Sequence, residues 1–515
     1  MKKNADKRFT KKEWSWIMYD WANSVYATNI MAAIFPTIFV AFAGDAGDQW
    51  WGYGTSIATF LIALMAPVLG AIADFKGMKK KLFTVFMVLG VLFTALIAVT
   101  NDWRIMLVGY IVSRIGFSGS NLFYDSFLTD VTTNERMDKV SSWGYAMGYI
   151  GGSTIPFVIS IAVLLVMGYS SPFAQKFSVV ITSVWWLIFS IPFMKNVKQE
   201  HYIEKTPDNS LRHTFRNMLH TAVDIFHNKG LFIFVLAYFF YIDGVGTVIS
   251  VSTAYGSVLG FGSVGMILAL LVTQIVAVPC SIIFSRIAQK VTARKALIGA
   301  ILVYTFICIV GFYMGFSLEP HQAAYENALA EKFTVQAEAF APESEDARTA
   351  YDKLVSAYED AFLEKDTAAA LEAVVVSPEV ESHEELKALA LSFAEEEHAA
   401  IVNFKDAIAF SSTLFWCMAF MVGTVQGGIQ AVSRSYFSKL VPKDRSNEYF
   451  GFFDIFGKFA SVIGPVLYSF VGGLTGRSSL GVLGLVILFL IGLVILISGR
   501  KHLSALEMNA ETGAE

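Results

Sequence analysis

Twelve apolar stretches recur along the chain and leave it few folds to choose from. They cover residues 14–42, 52–73, 82–99, 104–126, 141–167, 177–194, 231–254, 262–286, 296–316, 407–436, 449–473 and 479–499. At about 1.5 Å of rise per residue, helices of this length cross the roughly 30 Å hydrocarbon layer of a bilayer. Of the 515 residues 55 % are hydrophobic, 44 are Phe and only 16 % are charged, which describes a polytopic membrane protein.

The first stretch is the least ordinary. Its text WSWIMYDWANSVYATNIMAAIFPTIFV places Asp20, Asn23, Ser24 and Ala27 at i, i+3, i+4 and i+7, on one helix face. A charge inside a spanning helix costs about 2.5–3.5 kcal/mol on insertion scales, so this face must look into protein or water. One reading puts Asp20 near the headgroups, with Asn23 bonded to another helix. The other makes the helix the wall of a transport pathway. A basic N-terminus and Ala41-Phe42-Ala43 imitate a secretion signal, but the apolar run is too long for one and contains Asp20, so it reads as a first span.

Basic residues fall in alternate loops: the N-terminus, 76–81, 136–139, 195–229, 286–295, 439–445 and Arg500-Lys501. Loops such as 44–49 are poor in Lys and Arg. The positive-inside rule then places both termini in the cytoplasm, and a bacterial inner membrane is the expected location. The organisation read from this is a first six-helix bundle (1–194), a cytoplasmic linker (195–230), spans 7–9 (231–316), an insertion (317–405), spans 10–12 (406–500) and a cytoplasmic tail (501–515). In the linker, LRHTFRNMLHTAVDIF has the pattern of an interfacial helix. The insertion holds 20 Asp and Glu against 6 Lys and Arg, with Tyr325, Leu329 and Phe333, then Tyr351, Leu354 and Tyr358, at helical spacing. It reads as soluble extracytoplasmic helices. Cys280, Cys308 and Cys417 lie in apolar text and suggest no disulfide framework.

The halves echo one another. Arg136 is followed 20 residues later by Pro156 and Arg445 by Pro465, and Gly148 and Gly457 each lie 12 residues past their Arg. Parallel repeats of this kind are expected of a 6+6 transporter.

Charged residues inside the spans nominate a site. Arg114 and Asp125 stand in span 4, and Asp243 stands near the middle of span 7 in YFFYIDGVGTV. Two glycines beside Asp243 point to a broken or tightly packed helix; Asp243 is a coupling carboxylate, or else the fixed partner of Arg114 or Lys458. Gln426 and Gln430 share a face of span 10, and Asp454 and Lys458, at i, i+4 with the acid first, suit an ion pair. The glycines of GYAMGYIGG (144–152) form a close-packing face. At the cytoplasmic ends, Asp74, Gly77, Lys80, Asp130, Arg136, Arg434, Arg445 and Glu448 are candidates for a gate.

The segment GAIADFKGMKKK (70–81) between spans 2 and 3 resembles the loop signature of the major facilitator superfamily, whose Asp and basic residues latch the two halves together. The texts YDWANS (19–24), FPTIF (35–39), SRSYFSKLVP (433–442) and EYFGFFDIFGKFASVIGP (448–465) narrow the likeness. They look like the vacuole-effluxer branch, which includes fungal vacuolar amino-acid effluxers and bacterial permeases. The resemblance implies an all-α fold, two six-helix bundles around a central cavity, and secondary transport by alternating access. It suggests small solutes such as amino acids and proton coupling, with an Arg in span 4 linked to that coupling. The insertion departs from the short loop expected of the branch. No nucleotide, zinc-protease or metal-ligand spacing is present, so no cofactor, metal, nucleic-acid partner or enzymatic activity is expected, and the chain is expected to act as a monomer. Two other classes remain: a non-transporting scaffold or receptor that uses the insertion, and a lipid flippase.

Overall fold

The computed structural model describes residues 8–44, 47–168, 171–204, 221–261, 263–375, 380 and 382–512. Most of the interfacial helix expected in the linker lies outside these residues. The chain is helical, and twelve long helices account for the twelve apolar stretches. They are α1 (Lys11–Val25, extended by Tyr26–Ala33 and Phe35–Ala43), α2 (Gly47–Ala73), α3 (Met78–Val99), α4 (Trp103–Ser126), α5 (Met137–Gly148, extended by Tyr149–Thr154 and Ile155–Met167) and α6 (Pro172–Asn196). The second set is α7 (Lys229–Val258), α8 (Ser263–Val291), α9 (Ala293–Ala328), α10 (His398–Leu440), α11 (Ser446–Thr475) and α12 (Ser478–Ser498), followed by α13 (Arg500–Thr512).

Ten of the described helices are long and apolar enough to cross a membrane, and the bent pair of α1 makes eleven. The helix that misses this test is α4. Its Arg114, Asn121 and Asp125 make it too polar to face lipid, and it packs instead against α2, α3 and α11. Elsewhere the outward faces are apolar: Phe60 is 64 % exposed, Leu92 60 % and Phe470 63 %. In water such a surface would be prohibitive; against acyl chains it is the favourable one.

In the first bundle α1 packs on α5 and α6, α3 on α4 and α6, and α2 on α4. In the second, α8 and α9 flank α10, while α7, α9 and α11 surround α12. The bundles meet along α2 with α11 and along α5 with α8 and α10. The loops 74–77 and 127–136 and both ends of the chain gather on one side, called here the terminal side: Arg136 bonds Glu13 at the start of α1, and Arg294 bonds Ser504 of α13.

Three departures from the expected spans have local causes. α1 bends by 41° at Ile34, two residues before Pro36, whose ring and missing N–H interrupt the helix. α7 is not broken at Asp243; it runs on from Lys229 to Val258, and Gly244 is there because the Phe489 ring lies 2.6 Å from where its Cβ would stand. α9 does not end at 316. It runs through Pro320, continues in π and α turns to Glu338, and α10 begins as early as His398. Between them lie the helices Glu345–Phe362, Thr367–Ala373 and His383–Glu396, with Phe333, Tyr358, Phe362 and Phe393 buried among them.

The crossing of α3 and α4 is set by two glycines. A Cβ on Gly116 would come within 2.4 Å of the Gly90 backbone nitrogen, so only glycine allows the two helices this approach. Gly116→Leu is expected to lose monodisperse protein on size-exclusion chromatography, or to melt well below the wild type. Gly299→Ala, at a site with no atom within 4 Å, should leave both readings unchanged.

Candidate functional site

Arg434 of α10 reaches across the interface into the first bundle. Its Nη1 donates to Asp125 Oδ1 of α4 at 2.9 Å and its Nη2 to Asp20 Oδ2 of α1 at 3.2 Å. Its Nε donates to Ser141 Oγ and its Nη2 also to the Ser141 carbonyl, both at 3.0 Å. Asp20 Oδ2 accepts a further hydrogen bond from the Tyr124 hydroxyl at 2.7 Å. The guanidinium lies 4.6 Å from the Trp16 ring and 4.5 Å from that of Tyr145. Its side chain is 5 % exposed. A buried charge persists only when its donors are met, and here one guanidinium joins three helices of one bundle to the other.

The glycine stripe of α5 lets this happen. A Cβ on Gly144 would sit 2.3 Å from Asp20 Oδ2, and one on Gly148 2.6 Å from Ser24 Oγ. These glycines therefore bring α5 onto the polar face of α1 and leave room for Asp20. Asn23, on the same helix, donates to Asn121 of α4.

A second junction lies further toward the terminal side. Asp74 follows α2 and caps the start of α11: its Oδ1 accepts from the Asn447 backbone N–H at 3.0 Å and from Asn447 Nδ2 at 2.6 Å, and its Oδ2 accepts from the Glu448 N–H at 2.9 Å. Helix N-termini carry unsatisfied N–H groups and a positive dipole end, so a carboxylate is the matching partner. Gly77 turns the chain back with φ +72° just before α3. Lys79, fully buried, pairs with Asp130 at 2.7 Å and donates to Ser446 Oγ at 3.2 Å. A third contact joins Asp138 of α5 to Lys439 at 2.7 Å and Ser435 at 2.6 Å, both on α10. Among the described residues, every ion pair between the bundles lies toward the terminal side.

Burial pushes the Asp74 carboxyl up to about 7, although Lys79 and its three N–H donors pull the other way. Asp130 is as deeply buried, yet Lys79 and His201 outweigh desolvation and hold it below its ordinary value.

Several nominated residues lie elsewhere. Arg136 pairs with Glu13 within the first bundle. Lys80 donates to the Val197 carbonyl of the linker; its neighbour Lys79 is the one that reaches the junction. Arg445 sits half-buried in the turn entering α11, and Glu448 contributes its backbone N–H to Asp74. Asp454 and Lys458 pair with each other. Asp243 pairs with neither Arg114 nor Lys458: its Oδ2 accepts the Gly464 N–H at 2.8 Å, just before Pro465 of α11. Gln426 bonds the Tyr149 hydroxyl of α5 and lines a cavity of about 110 Å³ inside the second bundle, and Gln430 is half-buried on the same helix. Among the described residues Arg114 bonds the hydroxyls of Tyr110 and Thr59. Tyr124, Ser141, Asn447 and the pair Asp138–Lys439 were not singled out in the sequence. Asp138 and Lys439 occupy the two loop regions that flank the repeated Arg, and that symmetry was the available signal.

The sequence profile of the family described as "Vacuole effluxer Atg22 like" matches residues 50–329 and 408–503. The chain belongs to this family. It is 39 % identical over 503 residues to the MFS-type transporter YxiO of Bacillus subtilis (strain 168), with 95 % of each chain covered. It is 25 % identical over 205 residues to autophagy-related protein 22-2 of Aspergillus clavatus, covering 37 % of this chain and 33 % of that one. Among solved structures, the fold is similar to that of FucP, a major facilitator superfamily transporter, in its outward conformation, with TM-score 0.55 and 13 % identity over 96 % of this chain and 98 % of that one. This Atg22-like chain is thus an integral membrane transporter of the major facilitator kind.

The Asp74 cap gives a pH dependence with a definite sign. A carboxyl raised from 3.8 to about 7 in the capped state binds more protons there than when released. Its contribution to the closed junction is therefore full below about 3.8 and fades as pH rises through about 7. Spin labels at Glu135→Cys and Lys443→Cys, in a background lacking the three native cysteines, should report a growing open population between pH 6 and 8. Asp74→Asn should abolish that pH dependence.

Proposed function

We propose that this transporter works by alternating access, coupled to a proton gradient, and that its solutes are small molecules of the amino-acid kind. In this reading the terminal side is the cytoplasmic one, the membrane is a bacterial inner membrane, and one chain suffices. The observation that carries it is the one-sidedness of the Arg434 latch. The charged cross-bundle contacts occupy the terminal side, whereas toward the other side a cavity of about 800 Å³ lies between α1, α5 and α8, bounded by Ile34, Thr37, Phe157 and Met266. A transporter caught closed on one side has this asymmetry, and opening that side requires Arg434 to part from Asp20 and Asp125. Breaking a buried pair by removing one partner costs about 3–5 kcal/mol, so a ligand or a proton must offset a term of that kind.

The proton acceptor assigned in this reading is Asp243. It is 1 % exposed, and among the described residues no cation lies within ion-pair distance. Its partner is a backbone N–H of α11 beside a proline, so a change in its charge acts directly on the helix that Asp74 caps at the other end. The helices within 338–398 pack on the ends of α9 and α10 and on one another, which supports reading residues 317–405 as a cap on the second bundle.

Proteoliposomes containing the wild type should show a substrate-dependent pH change when pooled L-amino acids are added, and Asp243→Asn should lose it. A change that survives the substitution removes Asp243 from the proton path and returns attention to Asp20. Silence from both proteins overturns the amino-acid and proton assignments together.

A further inference from the structure

Among the described residues, one guanidinium within the spans has no counter-charge and no part in the latch. Arg114 is the twelfth residue of the 24-residue α4, at the middle of the helix. Its Nη1 donates to the Tyr110 hydroxyl at 2.7 Å and its Nη2 approaches Thr59 Oγ1 of α2 at 3.4 Å. Its Cζ stands 5.9 Å from the Tyr110 ring. Among the described residues no carboxylate lies within ion-pair distance of it. A guanidinium carries five N–H donors and remains charged, so two hydroxyls leave most of its hydrogen-bonding capacity and all of its charge unanswered. Every other charged side chain considered above that lies within the spans has a stated partner: Arg434 with Asp20 and Asp125, Lys458 with Asp454, and Asp243 with a backbone N–H.

The placement of Arg114 shows where an answering group would come from. Arg114, Ser118, Asn121 and Asp125 follow one another at i, i+4, i+7 and i+11, so they share one face of α4, and all four are partly exposed although Ser113, Gly116, Gly119 and Ser120 between them are buried. α4 packs between α2, α3 and α11 and presents this face inside the protein rather than to lipid. The face forms a polar track. It starts at the latch, where Asp125 holds Arg434; it passes the Asn121–Asn23 contact and ends at the unpaired Arg114. Across from α4, the lysine of α11 is already neutralised in the Asp454–Lys458 pair.

We propose that Arg114 is the receptor for the carboxylate of the transported solute, and that the solute binds as a species with one carboxylate at this point. A single guanidinium matches one planar carboxylate through two parallel N–H bonds. A phosphate ester dianion would need a second cation, and none stands free on the facing helix. The hydroxyls of Tyr110 and Thr59 hold the guanidinium plane in place, and Thr55, 3.2 Å from Tyr110, steadies the Tyr110 hydroxyl in turn. This inference rests on the transport reading above and adds the residue that reads the solute.

The test is binding by the purified full-length protein, followed by thermal unfolding, together with flux in proteoliposomes. The probes are the twenty L-amino acids, acetate, lactate and pyruvate, each beside its uncharged-carboxyl amide. One or more carboxylates should raise the melting temperature of the wild type, and the matching amides should not. Arg114→Gln should weaken that binding on the order of tenfold to a hundredfold, the range expected for losing a charged hydrogen-bonded partner. Arg114→Lys, which keeps the charge without the fork, should fall between. Arg114→Lys and the unliganded melting temperature of each variant serve as references for any change in the stability of the empty protein. Unchanged carboxylate binding in Arg114→Gln, equal binding of the amides, or no response of the wild type to any carboxylate would each overturn the assignment. Flux separates this from the transport reading: a solute carried by the wild type with equal affinity for both variants sinks only the role of Arg114, whereas a wild type that moves no probe sinks the choice of solute class as well.

Discussion

A guanidinium at the boundary of two helical bundles ties one to the other. Arg434 is nearly buried, and water cannot answer its charge, so Asp20, Asp125 and the Ser141 carbonyl must. Those acceptors belong to α1, α4 and α5, all in the other half of the molecule. The geometry of three helices is therefore fixed relative to a fourth by the need to satisfy one ion. The glycines at 144 and 148 follow from the same demand, since a side chain at either would occupy the space of Asp20 or Ser24. Trp16, Tyr124 and Tyr145 enclose the cluster and keep its dielectric low, which strengthens both the attraction within it and the penalty for leaving it half-made.

The Asp74 junction works by a different principle. Its donors are mostly backbone N–H groups at the start of α11, so the second bundle contributes a helix end rather than a charged side chain. Such a contact is directional: tilting α11 by a few degrees withdraws all its donors together. At the far part of the same helix, Asp243 takes the N–H of Gly464 beside Pro465. One helix is thus tied by carboxylates of α2's end and of α7, and its position reports on both. The corresponding point in the first half, just before Pro156, is a π-helical turn, Tyr149–Thr154. The second half has no such turn: α11 runs as an α-helix through Pro465, so the π-helical turn, a feature that recurs at functional sites, belongs to the first half.

Much of the site was readable before any coordinates, but in pieces. Asp20, Asp125 and Arg434 each stand out as charges in or at the edge of apolar text, yet they were assigned to different tasks. The reason is separation: Asp20 and Arg434 are 414 positions apart, and Asp125 and Arg434 309. Nothing local says that they meet. The choice between Lys79 and Lys80 is of the same kind, since adjacent helical residues point about 100° apart and only the packing of α3 decides which faces Asp130. Asn447 carries no local sign of its role, because its backbone N–H and its side-chain amide both reach Asp74, 373 positions away.

The sequence by itself determined that the chain crosses the membrane many times, that it is helical and that it carries two related halves. Those properties follow from apolar length, from periodicity and from the repeat, which are all one-dimensional quantities. It also marked which residues are too polar for lipid and so must face inward. The tertiary structure alone decided which of those charges neutralise one another, which helix ends receive carboxylates, that α7 passes Asp243 unbroken and that, among the described residues, Arg114 has no counter-ion. Pairing depends on distances of about 3 Å between atoms far apart in the chain, and a hydrogen bond of that length is set by packing rather than by order along the sequence.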